Sequence, residues 1–361
     1  MNVKFLKGVA SLGVVALTLT ACGSDGADDN SGSAGGGKVT FTAYGGTAQE
    51  AYTKAFVEPF AKESGIEVLQ DSPTARAKIV EMVGSGNVIW DLVQSGYSIG
   101  VEDNALGVLE PIDCNVVPCA DFTDGPAKAY KYGMPVQTFS VVLAYNTKSF
   151  ADNPPTSYAD FFDTKKYPGK RAIYTGAPTG ALNGILDQAL VNDGVARDQL
   201  YPLDVDRAIA KLDSIKNDIV FYTDFGQCTD LVASGEAVMG NCYNGRVLNA
   251  KTAGQPIDMA WGQQVIYTEY LVIVKGAPNR ENAQRLLAYM VSKEHNGRLA
   301  GQIAYGPTNP KATVDPSSPF RSALPSEHML DGDDAPLSVD NAWWAANMDM
   351  VGKKWDAFVA K

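Results

Sequence analysis

The chain reads as an α/β protein of two lobes, each built on a mainly parallel sheet, joined by two hinge strands that cross between them. Three observations predict this. Short apolar strands alternate with helices along most of the length. Two continuous apolar strands, Val141 to Tyr145 and Tyr270 to Val274, bracket a second α/β region, as expected of a chain that crosses to another lobe and returns. The composition, 45% hydrophobic and 20% charged over 361 residues, leaves room for more than one domain. With 30 Lys and Arg against 41 Asp and Glu the formal charge is -11, so no basic surface is available to a phosphate backbone and nucleic-acid binding is excluded. Only His295 and His328 are histidines, which excludes a multi-His metal centre and leaves few candidates for a Ser-His or Cys-His pair.

The first elements are not part of the fold. Residues 1–21 read as a secretory signal: Lys4 and Lys7 precede the apolar run Gly8 to Thr20, which is too short to span as a mature helix. Leu19-Thr20-Ala21-Cys22 resembles the lipobox of bacterial lipoproteins, in which the Cys is lipid-modified and becomes the first residue. The alternative is a plain signal with an incidental Cys. An acylated Cys22 would hold the protein to the outer face of a membrane without spanning it. Gly23 to Gly37, small and acidic, reads as a tether with a reach of roughly 20 Å. Gly32 to Val39 nearly spells a phosphate loop, but Val39 replaces the needed Ser or Thr and no strand precedes it. Removing Lys4 and Lys7 takes the charge from -11 to -13, and removing Asp25, Asp28 and Asp29 leaves -10 for the body.

Four cysteines remain: Cys114, Cys119, Cys228 and Cys242. An even number in an exported chain implies two disulfides, with three possible connectivities. Local pairing, Cys114 to Cys119 and Cys228 to Cys242, is the simplest. A zinc site lacks CxxC spacing, and a nucleophilic thiol lacks a nearby His.

Along the body, Val39 to Tyr44 alternates as a strand. Thr47-Ala48-Gln49-Glu50 fits a capping box opening a helix with Tyr52, Ala55, Phe56 and Phe60 inward; Pro59 kinks or restarts it and Gly65 ends it. Ile66 to Val68 is a strand, Arg76 to Val83 a helix, Asp91 to Val93 a buried strand, and Ser95-Gly96-Tyr97 its turn. Ligands of parallel sheets collect outside the carboxyl ends of strands, where Thr47, Ser95 and Tyr97 fall. Met134 to Val136 leads into the first hinge strand. Ala172 to Tyr174 and Ile219 to Phe221 are strands of the second region, and Ala181 to Leu190 and Asp204 to Ile215 its helices. Asp340 to Lys361 is an amphipathic helix with Trp344, Met348, Val351, Trp355 and Phe358 on one face. The expected organisation is a signal at 1–21, lipidated Cys and tether at 22–37, lobe 1 at 38–145 and 271–361, and lobe 2 at 146–270.

Phe60 to Val68 (FAKESGIEV), Asp91-Leu92-Val93, Tyr145-Asn146, Asn244-Gly245 and Tyr305-Gly306-Pro307 together resemble the solute-binding proteins of ABC importers, in particular the spermidine/putrescine-binding branch. The resemblance covers nearly all of residues 38–361. It implies a bilobed, type II periplasmic-binding-protein-like fold that traps a small molecule between its lobes and presents the closed form to a membrane permease. It also implies site positions. Ser95 and Tyr97 occupy a Ser-x-Tyr turn of the amine site. Tyr243 stands where the branch has a stacking Trp, and Tyr267 and Glu269 where a Trp and an Asp flank a cationic nitrogen. Tyr305 matches a ligand-contacting Tyr. Tyrosines thus replace the tryptophans of an aromatic box suited to a cation.

Two departures modify that picture. Polyamine binders carry an acidic pair after the strand matching Ala172 to Tyr174; here Gly176 to Gly180 has no carboxylate, and Thr179 is its polar candidate for the ligand. Arg246 follows Asn244-Gly245, where a polyamine pocket has a small neutral residue, and offers a planar fork for a carboxylate. Arg246 and Glu269 at opposite ends match a zwitterion, as in the γ-aminobutyrate-binding relatives; the bland alternative is that they pair with each other or with neighbours. Competing readings are polyamine binding, ferric-ion binding through clustered tyrosines, although no Tyr-Tyr dipeptide occurs, and an enzyme of this fold using Cys114 as nucleophile, as in thiaminase. The expectation is a monomeric, non-catalytic, lipid-anchored binding subunit with no cofactor.

Overall fold

The computed structural model describes residues 36–96, 99–123, 127–175 and 183–361. Among the described residues, eleven strands form one sheet. In chain order the first part runs β1 (Lys38–Thr42), α1 (Gly46–Tyr52), α2 (Glu58–Ser64), β2 (Glu67–Asp71), α3 (Arg76–Ser85), β3 (Leu92–Ser95), β4 (Leu109–Glu110) and β5 (Met134–Asn146). Then follow α4 (Tyr158–Phe162), β6 (Arg171–Tyr174), α5 (Ile185–Val191), α6 (Val205–Asp213), β7 (Ile219–Tyr222), α7 (Gln227–Ser234), β8 (Met239–Tyr243) and α8 (Asn244–Thr252). The last part is β9 (Ile257–Val274), α9 (Arg280–Val291), β10 (Gly306–Pro307), β11 (Leu337–Ser338) and α10 (Asn341–Val359).

The main path is β2-β1-β3-β9-β5-β8-β6-β7. Its two ends are parallel, β1 with β2 and β3, β6 with β7 and β8, as alternating strands and helices require. The middle is antiparallel, because β5 and β9 run from one lobe to the other in opposite directions. Lobe 1 is the β2-β1-β3 side and lobe 2 the β8-β6-β7 side.

The register locates the crossing inside these strands. Leu92 to Ser95 of β3 pair with Tyr270 to Ile273, while Val141 to Tyr145 of β5 pair with β8. Lobe 2 pairing therefore begins at Val141, earlier than the expected boundary at 145/146. Two irregularities mark the crossing. Between Val141 and Leu143 the partner skips from Val265 to Ala260, so Trp261 to Gln264 bulge out, with Gln263 at φ 61°. Between Pro135 and Gln137 one extra residue, Val136, is accommodated. Pro135 is tolerated in a central strand because it sits at this bulge.

The helical region after β1 shows how local sequence and structure differ. The helix begins at Gly46, and no side chain caps it; Thr47 is exposed inside the first turn, so the expected capping box does not form. Gly45 and Gly46, at φ 82° and 61°, turn the chain into the helix, a route open to glycine and closed to a β-branched Thr. A π turn over Thr53–Val57 precedes Pro59, which lacks the N–H an uninterrupted α-helix would use, and Gly65 closes α2 in the left-handed region.

α10 buries Trp344, Met348, Val351, Trp355 and Phe358, the face expected from periodicity. Its location differs from expectation. These side chains join Tyr158, Ile173, Leu186 and Leu212 in the lobe 2 core, and Trp344 Nε1 donates to Tyr201 Oη at 2.9 Å. Periodicity reports which face of a helix is buried, not against what; residues 341–359 belong with the elements of 146–270. Each such large side chain taken from water contributes roughly 1.5–3 kcal/mol. Both local disulfides form, Cys114–Cys119 and Cys228–Cys242, with Cα separations of 5.4 and 5.7 Å.

Candidate functional site

The crossing strands carry the side chains that gather where the two lobes meet. Because side chains alternate, the pairs Gln137 with Glu269 and Phe139 with Tyr267 bring four side chains to one sheet face. The rings of Phe139 and Tyr267 stack at 5.6 Å and 15°. Phe139 also meets Tyr243 edge-on at 5.3 Å and Tyr305 at 5.6 Å, so one ring touches three of the tyrosines singled out in the sequence. It packs against the cores of both lobes.

Lobe 1 contributes Tyr44 just beyond β1, whose hydroxyl donates to Glu269 Oε1 at 3.5 Å and accepts from Gly96 N at 3.3 Å. Tyr305 stands just before β10, whose residues pair with Gln137 and Thr138 of β5. Lobe 2 contributes Tyr243 at the end of β8, Tyr174 at the end of β6, and Phe225 in the turn before α7. Phe225 stacks on Tyr174 at 4.9 Å and meets Tyr243 at 5.3 Å. Tyr243 Oη donates to Asn183 Oδ1 at 2.7 Å, and Tyr222 Oη to Asn241 O at 2.9 Å. Cys228 of α7 is bonded to Cys242, the neighbour of Tyr243, so the disulfide ties the segment carrying Phe225 to the strand carrying its ring partner.

The Asn244-Gly245 pair has a structural cause. Asn244 Oδ1 accepts from Ser140 N at 3.0 Å, while its Nδ2 donates to Ala304 O at 2.7 Å and Ala323 O at 2.9 Å. One buried side chain thereby joins the crossing strand, α8 and the segment before Tyr305. At Gly245 a Cβ would come within 2.8 Å of the Tyr305 ring and 3.0 Å of Ile303, so only glycine allows this close approach of α8 to lobe 1.

Two ionisable groups face this aromatic enclosure from different directions. Glu269 is buried, and loss of solvation pushes its carboxyl up to about 8, against the opposing effects of Tyr44 Oη and the Tyr270 backbone. Arg246, in the first turn of α8, is half-buried, and among the described residues it has no hydrogen bond or ion pair. Its Nη1 lies 4.0 Å from the position a Cβ would take on Gly46, at the start of α1. Its charge acts on the Tyr222 and Tyr305 hydroxyls, whereas Glu269 acts on those of Tyr44, Tyr52, Tyr270 and Tyr305. The two groups are not an ion pair. Burial raises the Tyr44, Tyr243 and Tyr305 hydroxyls, which remain neutral.

Of the positions expected from sequence, Tyr243, Tyr267, Tyr305 and Glu269 come together, with Arg246 at the rim of the same enclosure. Ser95 pairs with Tyr270, on the opposite sheet face from Glu269, and its hydroxyl is engaged with Gly96 O at 3.4 Å. Thr47 is exposed at the α1 start. Tyr97, Thr179 and Cys22 lie outside the described residues. Cys114 is in a disulfide, which removes the thiol required by the enzymatic reading. Sequence reasoning missed Tyr44, Phe139, Tyr174, Phe225 and Gln137. Tyr174 and Tyr44 had a usable signal, since both stand at the carboxyl ends of parallel strands. Phe139 had none, because a Phe in an apolar strand reads as core.

Two α/β lobes that share continuous strands and meet at a cluster of aromatic side chains match a clamp-type binding protein. The chain belongs to the bacterial extracellular solute-binding proteins, whose family pattern matches residues 55–324. It is the solute-binding component of an ABC transporter. A gamma-aminobutyric acid-binding protein of Pseudomonas aeruginosa is 29% identical over 331 residues, 90% of this chain and 91% of its own length. A spermidine/putrescine-binding periplasmic protein of Haemophilus influenzae is 25% identical over 336 residues, 90% of this chain and 88% of its own. Among solved structures, that of the Atu4243–GABA receptor is 33% identical with a TM-score of 0.79, covering 89% of this chain and 97% of that one. Among the described residues, no helix is long and apolar enough to cross a membrane.

Proposed function

We propose that this protein captures a zwitterionic ω-amino acid such as γ-aminobutyrate between its lobes and delivers it to its permease, with no catalysis of its own. The observation that carries this reading is the separation of Arg246 from Glu269 within one aromatic enclosure: a cation without a protein partner among the described residues, and a buried carboxyl whose only side-chain hydrogen-bond partner there is Tyr44. A ligand carboxylate would meet the guanidinium fork and its ammonium would meet Glu269, with tyrosine faces between. The γ-aminobutyrate-binding relatives support this choice over a diamine, which would place a second cation beside Arg246. The Leu19 to Cys22 motif supports a lipid anchor on the outer face of the membrane, and the single-chain clamp works as a monomer.

Thermal unfolding against γ-aminobutyrate, 5-aminovalerate, putrescine, spermidine and glycine betaine tests the reading. A ligand at ~100 times its Kd stabilises the native state by about 2.7 kcal/mol. A shift with the two ω-amino acids and none with the diamines is expected. A response to the diamines alone would overturn it. The anchor is tested separately by mass spectrometry, and an unmodified Cys22 would end that part.

A further inference from the structure

The ammonium end of the cleft carries more unpartnered oxygens than one carboxyl. Gln137 is 2% exposed, and its Oε1 has no hydrogen-bond partner among the described residues. It is paired directly across from Glu269, where side chains stand roughly 4.5–5.5 Å apart at Cβ. The Val136 bulge immediately before it sets its facing, since without the extra residue the alternation would turn Gln137 to the other side of the sheet. On the other flank, Gln94 of β3 is 1% exposed, its Oε1 likewise without a partner among the described residues, two residues before Gly96, which approaches Glu269 Oε1. Tyr52 is 0% exposed, its hydroxyl has no partner among the described residues, and it lies within electrostatic range of Glu269, Tyr44 and Tyr305. Buried polar atoms in native proteins are almost always hydrogen-bonded, and an orphaned one is costly. Several converging on one carboxyl call for a donor.

We infer that Gln137, with Glu269 and Tyr44, forms an acceptor cage for a primary ammonium, and that Gln137 is a specificity-determining residue that selects –NH3+ over methylated amines. This rests on the ligand reading above. A primary ammonium has three donors, enough for Glu269, Gln137 Oε1 and the Tyr44 hydroxyl oxygen together. Each N-methyl group removes one donor and adds bulk beside oxygens that then stay unpaired. A quaternary nitrogen has no donor at all and would be held by the aromatic rings alone. A site built to hydrogen-bond a substrate N–H rejects the analogue that lacks it far more strongly than an apolar pocket rejects an extra methyl. Gln94 and Tyr52 lie deeper and would complete the cage through the carboxyl or a bridging water.

The experiment is calorimetric titration of the wild-type protein with γ-aminobutyrate and its N-methyl, N,N-dimethyl and N,N,N-trimethyl derivatives, with putrescine as a second primary amine. Affinity is expected to fall stepwise with each methyl group, by about 100-fold or more at the trimethyl derivative. Gln137→Leu, close to isosteric but without the acceptor, should weaken γ-aminobutyrate about tenfold and leave the trimethyl derivative nearly unchanged. The series on the wild type needs no variant, so a misfolded Gln137→Leu would not remove the test. Trimethylated ligand bound within threefold of the parent would overturn the cage while leaving the zwitterion reading intact. A folded Gln137→Leu with unchanged γ-aminobutyrate affinity would overturn the role of Gln137. Binding of neither γ-aminobutyrate nor putrescine would overturn the ligand reading and the cage with it.

Discussion

The two ends of the cleft are built from different physics. Glu269 sits on a central strand with a neighbouring strand on either side, buried, so its charge is set by whatever enters. Arg246 projects from the first turn of a helix and stays half in solvent. A buried carboxyl and a half-exposed guanidinium differ in solvation, and so should respond differently to truncation and to ligand chemistry. On the proposed ligand reading, the buried end would enforce chemistry and the solvated end would enforce charge.

The largest expected effect comes from removing the guanidinium. Arg246→Ala should lower γ-aminobutyrate affinity about 100-fold, the scale of a charge-assisted, two-pronged hydrogen bond, while leaving putrescine unaffected or bound more tightly. Titration calorimetry with both ligands checks it, and equal losses for both would erase the assigned difference between the ends. Glu269→Gln should follow with a loss of roughly 10–100-fold for either ligand, because each carries an ammonium.

The pH response sharpens the same contrast. Below about pH 8 the Glu269 carboxyl is protonated in the free protein, and an ammonium ligand must displace that proton. Affinity should therefore rise with pH, by at most about tenfold per unit, and level off above 8; Glu269→Gln should abolish the slope and Arg246→Ala should keep it. Stability of the ligand-free protein should run the other way. The folded carboxyl lies above its ordinary value of 4.5, so the folded state holds a proton that the unfolded chain has already lost between about 4.5 and 8. Stability is thus highest below that window and declines as pH rises through it. Asp187, buried and pushed up to about 7, adds to the decline over its lower part. Thermal scans of wild type, Glu269→Gln and Asp187→Asn from pH 5 to 9 separate the two, and a Glu269→Gln variant whose melting temperature falls with pH as steeply as wild type would contradict the assignment.

Smaller effects come from the parts that hold the ends in place. Opening Cys228–Cys242 with paired Ser substitutions should cost about 3 kcal/mol of stability in the chain-entropy view of a 15-residue loop, and weaken ligand binding only a few-fold. Gly245→Ala should leave the melting temperature nearly unchanged but lower affinity several-fold, since its Cβ would collide with Tyr305 only where the lobes meet. A stability loss of several kcal/mol in that variant would mean the contact is part of the fold rather than of the closed cleft.

Much of this was legible in the residues alone. Alternation of short apolar strands with helices dictates parallel sheets, and two long apolar strands around the second region dictate a crossing. The inward face of α10 follows from its periodicity. Tyr243, Tyr267, Glu269, Tyr305 and Arg246 were found through their place in a known pattern, because ligand groups at strand ends keep fixed distances from recognisable turns. Other features depend on contacts between residues far apart in the chain. No local signal tells that α10 docks on lobe 2, that a bulge at Val136 turns Gln137 toward Glu269, or that Phe139 touches three tyrosines from separate segments. The Thr47 capping box failed for a related reason: positive-φ glycines ahead of it start the helix by another route. Sequence by itself determined the class of fold and the chemical types brought together where the lobes meet, since these rest on periodicity, composition and short spacing. Tertiary structure decided which of those groups meet and which stay apart. Solvent exclusion, and with it the protonation of Glu269 and the need of Gln137 for a donor, exists only once the lobes have assembled around them.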